Sequence, residues 1–145
     1  MKISDQDKLI EIIMQQNWLI EALRDVRGLK IPDWYIAAGA IRNTVWNYFH
    51  GYPTITNQND IDVVYFDSKD MNGDKEKIYE DKLKRINSDL DWEVVNQSRA
   101  PLFEQSPNVS RTPAKSSCES IAYWSEMPTC IGVRLEDDDS LTICS

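Results

Sequence analysis

The sequence contains one histidine, His50, and three cysteines, Cys118, Cys130 and Cys144, with no C-x-x-C spacing among them. That scarcity excludes the cysteine-rich zinc sites and leaves no Ser–His or Cys–His pairing that would support nucleophilic catalysis. His50 sits beside Gly51, where the end of a helix is its simplest role. An odd number of scattered cysteines argues against a disulfide scaffold, so reduced thiols and a cytoplasmic location are expected. Long apolar runs are missing too. No stretch approaches the roughly 18 apolar residues of a membrane span. Lys2, Asp5, Asp7, Lys8 and Glu11 break up residues 1–13, which excludes the apolar core of a signal peptide. Positive charge is in deficit: 16 Lys and Arg against 24 Asp and Glu give a net charge of −8. A chain of that sign repels a phosphate backbone, so broad binding of duplex nucleic acid is not expected. A negatively charged substrate would need a bound cation or a local basic cluster.

What remains is the composition of a globular domain. Residues 1–145 read as a single domain, 41% hydrophobic, long enough to bury on the order of 70% of the surface that the unfolded chain exposes. Apolar residues recur at helical spacing over residues 4–27, ending at Gly28. Trp34 to Ala38 reads as a short strand, Gly39-Ala40 as a small-residue turn, and Ile41 to Phe49 as a second helix. Ile61 to Phe66 is a nearly continuous apolar run, as expected of a covered strand. Tyr79, Leu83, Ile86 and Leu90 step at helical spacing, which predicts a helix over Lys75 to Leu90, followed by a strand from Trp92 to Gln97. Residues 98–117 are rich in Pro, Ser, Asn and Gln and read as a long loop, and Ser117 caps a short helix through Trp124. Thr129 to Leu135 and Leu141 to Cys144 read as a β-hairpin turning at the acids Glu136 to Asp139. The alternation of helices and strands predicts an α+β fold, a small mixed sheet flanked by helices with a C-terminal hairpin.

Two features carry chemistry. Asp60 and Asp62 are two apart at the start of a strand, so both side chains point to one face. Unpaired carboxylates about 6 Å apart repel by roughly 3 kcal/mol at an effective dielectric near 20. A divalent cation reverses the sign of that interaction. Hard cations such as Mg²⁺ or Mn²⁺ take oxygen ligands, usually one or two carboxylates together with substrate phosphates. The second feature is Gly39-Ala40 ahead of a helix. A turn without bulky side chains lets backbone N–H groups approach phosphate oxygens at the positive end of the helix dipole. Arg42 in the first turn can neutralise phosphate charge, and Asn43 can donate a further hydrogen bond.

These blocks carry a resemblance. A-G-A-I-R-N-T-V-W, then N-D-I-D-V-V-Y-F-D, then W-E-V-V-N-Q-S-R, and later C-I-G-V-R-L, resemble a bacterial family of nucleotidyltransferase-like proteins in the polymerase-beta-like superfamily. The resemblance runs through most of the chain from Trp34 onward. It implies a Gly-Ser or Gly-Gly phosphate-binding turn, matched by Gly39 and Ala40, and a metal-binding Asp-x-Asp, matched by Asp60 and Asp62. Glu93 stands where a third carboxylate is often placed, and Arg99 matches a basic position. With Ala40 in place of Ser or Gly and an end at Ser145, the resemblance leads us to expect a truncated or diverged member. The implied activity is Mg²⁺-dependent transfer of a nucleoside monophosphate from an NTP to an acceptor hydroxyl. The alternative is an inactive relative that binds a nucleotide or a protein. A glycosyltransferase also uses Asp-x-Asp, but it needs a larger nucleotide-sugar domain ahead of the motif.

Overall fold

The computed structural model describes residues 3–37, 39–51, 60–70, 73–98, 116–118 and 131–144. The elements in chain order are α1 (Ile3–Met14), α2 (Asn17–Gly28), β1 (Tyr35–Ala37), α3 (Gly39–His50), β2 (Asp60–Tyr65), α4 (Asp74–Ile86), β3 (Asp91–Asn96), β4 (Gly132–Leu135) and β5 (Leu141–Cys144). The five strands form one sheet in the order β3-β2-β1-β4-β5. β2 and β3 are parallel, while β1 runs antiparallel to β2 and to β4, and β4 to β5. The fold is therefore α+β with a mixed sheet and a C-terminal hairpin, as the sequence pattern predicts.

The first helix is the clearest departure from expectation. Residues 4–27 do not form one rod; the chain breaks at Gln15 and Gln16. Ile13 and Leu19 are both fully buried. In an unbroken helix, six residues at about 100° each would place Leu19 some 240° round the cylinder from Ile13, away from the core. The break realigns the two stripes. Gln16 leaves helical geometry at φ −103° and ψ 93°, and its side chain donates to the Ile12 carbonyl at 3.3 Å. α2 then buries Leu19, Ala22, Leu23 and Val26.

α4 is shorter than its apolar spacing suggests, ending at Ile86 rather than Leu90. Asn87 takes an extended conformation, and its side chain accepts the Asp89 amide at 3.3 Å. This local bond competes with the helix. Leu90 is still buried, at the entrance to β3. On α3 the buried positions are Ala40, Ile41, Thr44 and Asn47, while Trp46 and Phe49 are 58% and 64% exposed. The helix ends at Gly51, whose φ of +70° suits a residue without a side chain. His50 closes the last turn, its Nδ1 lying 2.9 Å from the Trp46 carbonyl and its ring stacked on the indole.

One face of the sheet carries the main core. Ile36, Ile61, Val63, Tyr65, Trp92, Val94, Val133 and Leu135 join Leu9, Ile13, Leu23, Val26, Ile41 and Leu83 from the four helices described. The outer edge of β3 is covered by α4. The Val94 amide donates to Glu80 Oε1 at 3.3 Å and the Asn96 amide to Glu76 Oε1 at 3.0 Å, which satisfies edge groups that could otherwise pair with another strand. The buried Asn96 side chain locks the far ends of β2 and β3. Its Nδ2 donates to the carbonyls of Asp67 and Asp70, both at 2.9 Å, and its Oδ1 accepts the Asp67 amide at 3.0 Å.

The expectation of reduced, unpaired cysteines is corrected by the fold. Cys118 and Cys144 form a disulfide with their Cα atoms 5.6 Å apart. Sequence spacing could not show this, because the pairing depends on how the segment at 116–118 lies against the last strand. Arg99, Cys130, most of the loop over residues 98–117 and most of the short helix expected through Trp124 lie outside the described residues. No helix among the described residues is long and apolar enough to cross a membrane.

Candidate active site

The second face of the sheet is built differently. Side chains alternate along a strand, so Asp60, Asp62 and Val64 point away from the face that holds Ile61, Val63 and Tyr65. Register extends that face sideways. Asp62 pairs with Ala37 of β1 on one side and with Glu93 of β3 on the other, and Asp60 pairs with Asp91. Four carboxylates, Asp60, Asp62, Asp91 and Glu93, therefore share one corner of one face on two adjacent strands. Sequence alone brings forward Asp60, Asp62 and Glu93 but not Asp91. The signal was present, because D-W-E at the start of β3 repeats the acid-x-acid pattern of D-I-D, but only the parallel register aligns the two.

These acids differ in environment. Asp60, Asp91 and Glu93 are exposed and Asp62 is half-buried. Burial pushes the Asp62 carboxyl up to about 6, and the negative charges of Glu93 and then Asp60 push in the same direction. All three causes disfavour the ionised form. A hard divalent cation would remove the conflict, and an all-oxygen donor set suits Mg²⁺ or Mn²⁺. Among the described residues no three His, Cys, Asp or Glu side chains converge closely enough to hold an ion by themselves. The arrangement fits a cation that draws further ligands from a phosphate substrate.

The helix beside this corner supplies a different electrostatic element. β1 ends at Ala37, opposite Asp62, and α3 begins at Gly39. Gly39 and Ala40 are the first residues of the helix rather than a separate turn ahead of it. The Ala40 methyl is fully buried in the main core, so what this residue can offer an anion is its backbone N–H. The first amides of α3 have no partner within the helix and carry its positive dipole end. Arg42 is exposed and Asn43 half-buried in the same first turn. The carboxylate corner and the helix N-terminus thus meet across the Ala37–Asp62 pair.

A family model for nucleotidyltransferases matches residues 24–145, from the middle of α2 through the last strand. The chain belongs to this nucleotidyltransferase family. Among solved structures it is similar to one described as a protein whose NMR structure reveals a CCA-adding enzyme head domain. The similarity has a TM-score of 0.76 at 26% identity and covers 94% of this chain and 69% of the other. No curated protein matches the sequence. The matched region contains all five strands and α3, hence the carboxylate corner and the helix terminus beside it. Arg99 falls within the matched region but outside the described residues.

Proposed function

We propose that the protein transfers a nucleoside monophosphate from an NTP to an acceptor hydroxyl with the aid of Mg²⁺ or Mn²⁺, in the cytoplasm, where NTPs are found. The observation that carries this reading is Asp62: half-buried, paired in register with Glu93, and lifted to about 6 by burial and by acids alone. A carboxylate so placed gains most from a cation. When bound, that cation would neutralise triphosphate charge and polarise the α-phosphoryl group whose phosphorus is attacked. Asp60 and Asp62 would be its protein ligands. Glu93 would accept the proton of the acceptor hydroxyl. The amides of Gly39 and Ala40, with Asn43, would seat the β- and γ-phosphates, and Arg42 and Arg99 would balance their charge. Catalysis in such a site is positioning and electrostatic stabilisation, with no covalent step on the protein.

A second reading is a relative that binds nucleotide or a protein partner without transfer. It is favoured by the core-buried methyl of Ala40 and by the lack, among the described residues, of three acids converging on one point. Thermal unfolding with Mg²⁺ and each NTP, on the wild type and on Asp62→Asn, tests the site. A ligand at a hundred times its Kd stabilises by about 2.7 kcal/mol, which is several degrees at this size. A shift that requires both Mg²⁺ and Asp62 supports the nucleotide site, and release of pyrophosphate from the same NTP then separates transfer from binding. A cooperative transition that no NTP moves would sink both nucleotide readings.

A further inference from the structure

We propose that the Cys118–Cys144 disulfide is a reversible redox clasp that holds the carboxylate face of the sheet in order, so that thiol reductants control the site. Its compartmental argument rests on the nucleotide reading above: NTP-using proteins work where thiols are kept reduced, and disulfides found there are usually transient, catalytic or sensing.

The geometry places the clasp on the face that matters. Cys144 pairs with Gly132, Gly132 with Ala37, and Ala37 with Asp62. The disulfide and the acids therefore stand on one row across the sheet, Glu93–Asp62–Ala37–Gly132–Cys144, roughly 14 Å from Asp62 to Cys144 at about 4.8 Å per strand. Cys144 packs with Tyr35, Ala37 and Val64, and Cys118 packs against the same group. These residues form a second, small apolar cluster on the face opposite the main core. Two of them, Ala37 and Val64, flank Asp62 directly, across the ladder and along the strand.

The other end of the clasp is tied independently. The Ser117 amide donates to Asp33 Oδ2 at 2.8 Å, and the Ser117 hydroxyl donates to the Asp33 carbonyl at 2.6 Å. Asp33 pairs in turn with Arg134 at 3.6 Å, and the Arg134 guanidinium lies over the Tyr35 ring at 4.9 Å. Residues 116–118 are thus fastened to the approach to β1 by hydrogen bonds and to β5 by the disulfide. Opening the disulfide removes the only covalent one of these ties among the described residues. It leaves the small cluster with far less apolar support than the helix-packed face.

The chemistry is accessible from one side. Cys144 is 2% exposed, whereas Cys118 is part-exposed. A thiolate of a small dithiol would attack the Cys118 sulfur and break the S–S bond, with Cys144 leaving as a thiolate that takes a proton. The second thiol of the reductant would then displace Cys118, which also ends as a thiol. The protein gains two electrons and two protons, and the dithiol becomes a cyclic disulfide.

The test is amide hydrogen exchange on the full chain carrying Cys130→Ser, which removes the third thiol, in the oxidised form and after reduction by dithiothreitol, with Cys118→Ala as a second route to the open state. Reduction is expected to release two thiols and to speed exchange in β1 and β4 roughly tenfold while β3 is unmoved. The thermal shift with Mg²⁺ and NTP should shrink in parallel. Exchange in β1 and β4 that is the same in the oxidised, reduced and Cys118→Ala proteins would overturn the clasp, as would a bond that dithiothreitol does not open in the folded protein. If exchange responds but no NTP shifts the melt in either state, the clasp stands and the nucleotide reading falls.

Discussion

The two faces of the sheet are built from the same five strands and follow opposite rules. The helix-packed face is a continuous apolar layer in which Ile36, Ile61, Val63 and Val133 are fully buried beneath all four helices described. The other face carries four carboxylates at one end of a row and a disulfide at the other, with a small apolar cluster of Tyr35, Ala37, Val64 and Cys144 between. Stability is concentrated on the first face, and the carboxylates on the second are gathered at some cost to stability. Asp62 shows that cost, because burial and its acidic neighbours both oppose its charge. Sites that hold like charges together are commonly destabilised until their ligand is bound.

Substitutions can break or sharpen this contrast. The largest effect is expected on the packed face. Ile36→Ala should cost about 2–5 kcal/mol in urea unfolding, since it opens a cavity where β1 meets the helices; a loss well under that range would mean the helices do not close over β1 as described. Next is Asn96→Ala. It would strip the carbonyls of Asp67 and Asp70 and the Asp67 amide of their buried partner, for a loss of about 1–3 kcal/mol. Asn96→Asp keeps the acceptor but not the two donated bonds, so a cost as large as that of alanine would point to the Nδ2 bonds as the dominant part.

On the carboxylate face the sign reverses. In metal-free protein near neutral pH, Asp62→Asn should raise the melting temperature, by less than either loss above, because a charge opposed by burial and by Glu93 and Asp60 is removed. The pH dependence follows from the same shift. The folded protein holds the Asp62 proton up to about pH 6, whereas an ordinary aspartate releases it near 3.8. Between those values the native state binds more protons than the unfolded state. This group's contribution to stability therefore falls as pH rises from about 4 to about 6 and is constant above. Asn at this position should flatten that part of the profile. A profile identical in the two proteins would show that Asp62 is not the group that titrates. Added Mg²⁺ competes with the proton, so the stabilisation it gives should grow as pH rises through the same window.

The smallest effect is expected outside both faces. Trp46 lies on the outer side of α3, where it borders an apolar groove of about 350 Å³ with Ile41, Val45 and Phe49. With Trp46 58% exposed, Trp46→Ala should change stability by no more than about 0.5 kcal/mol. A larger loss would show that the indole packs against more than the His50 ring.

Much of this could be read from local pattern. The C-terminal hairpin was legible because two short apolar runs flank a turn of four acids, and β2 because five of the six residues from Ile61 to Phe66 are apolar. The Asp-x-Asp pair and the small residues opening α3 were legible as residue types that suit metal and phosphate. The break at Gln15–Gln16 was harder to see, because the apolar stripe of residues 4–27 looks continuous until the core shows which positions must align. Asp91 and the disulfide were hidden for a related reason. The acid-x-acid pattern of D-W-E gains meaning only when the parallel register lays it beside D-I-D, and nothing local distinguishes Cys118 from an unpaired thiol.

Sequence alone thus decides what depends on neighbours along the chain: where strands and helices form, which side chains alternate to which face, and the deficit of positive charge that makes bound cations valuable. It does not decide which strand lies beside which, or in what register. The row Glu93–Asp62–Ala37–Gly132–Cys144 draws one residue from each of five strands separated by up to 107 positions. A slip of one residue in any ladder would send that strand's member to the opposite face. The buried layer of Ile36, Val63, Val94 and Val133 on the other side, with the part-buried Ile143, opposes the slip, since moving it would expose the core. The packing of one face is therefore what aligns the carboxylates and the disulfide of the other.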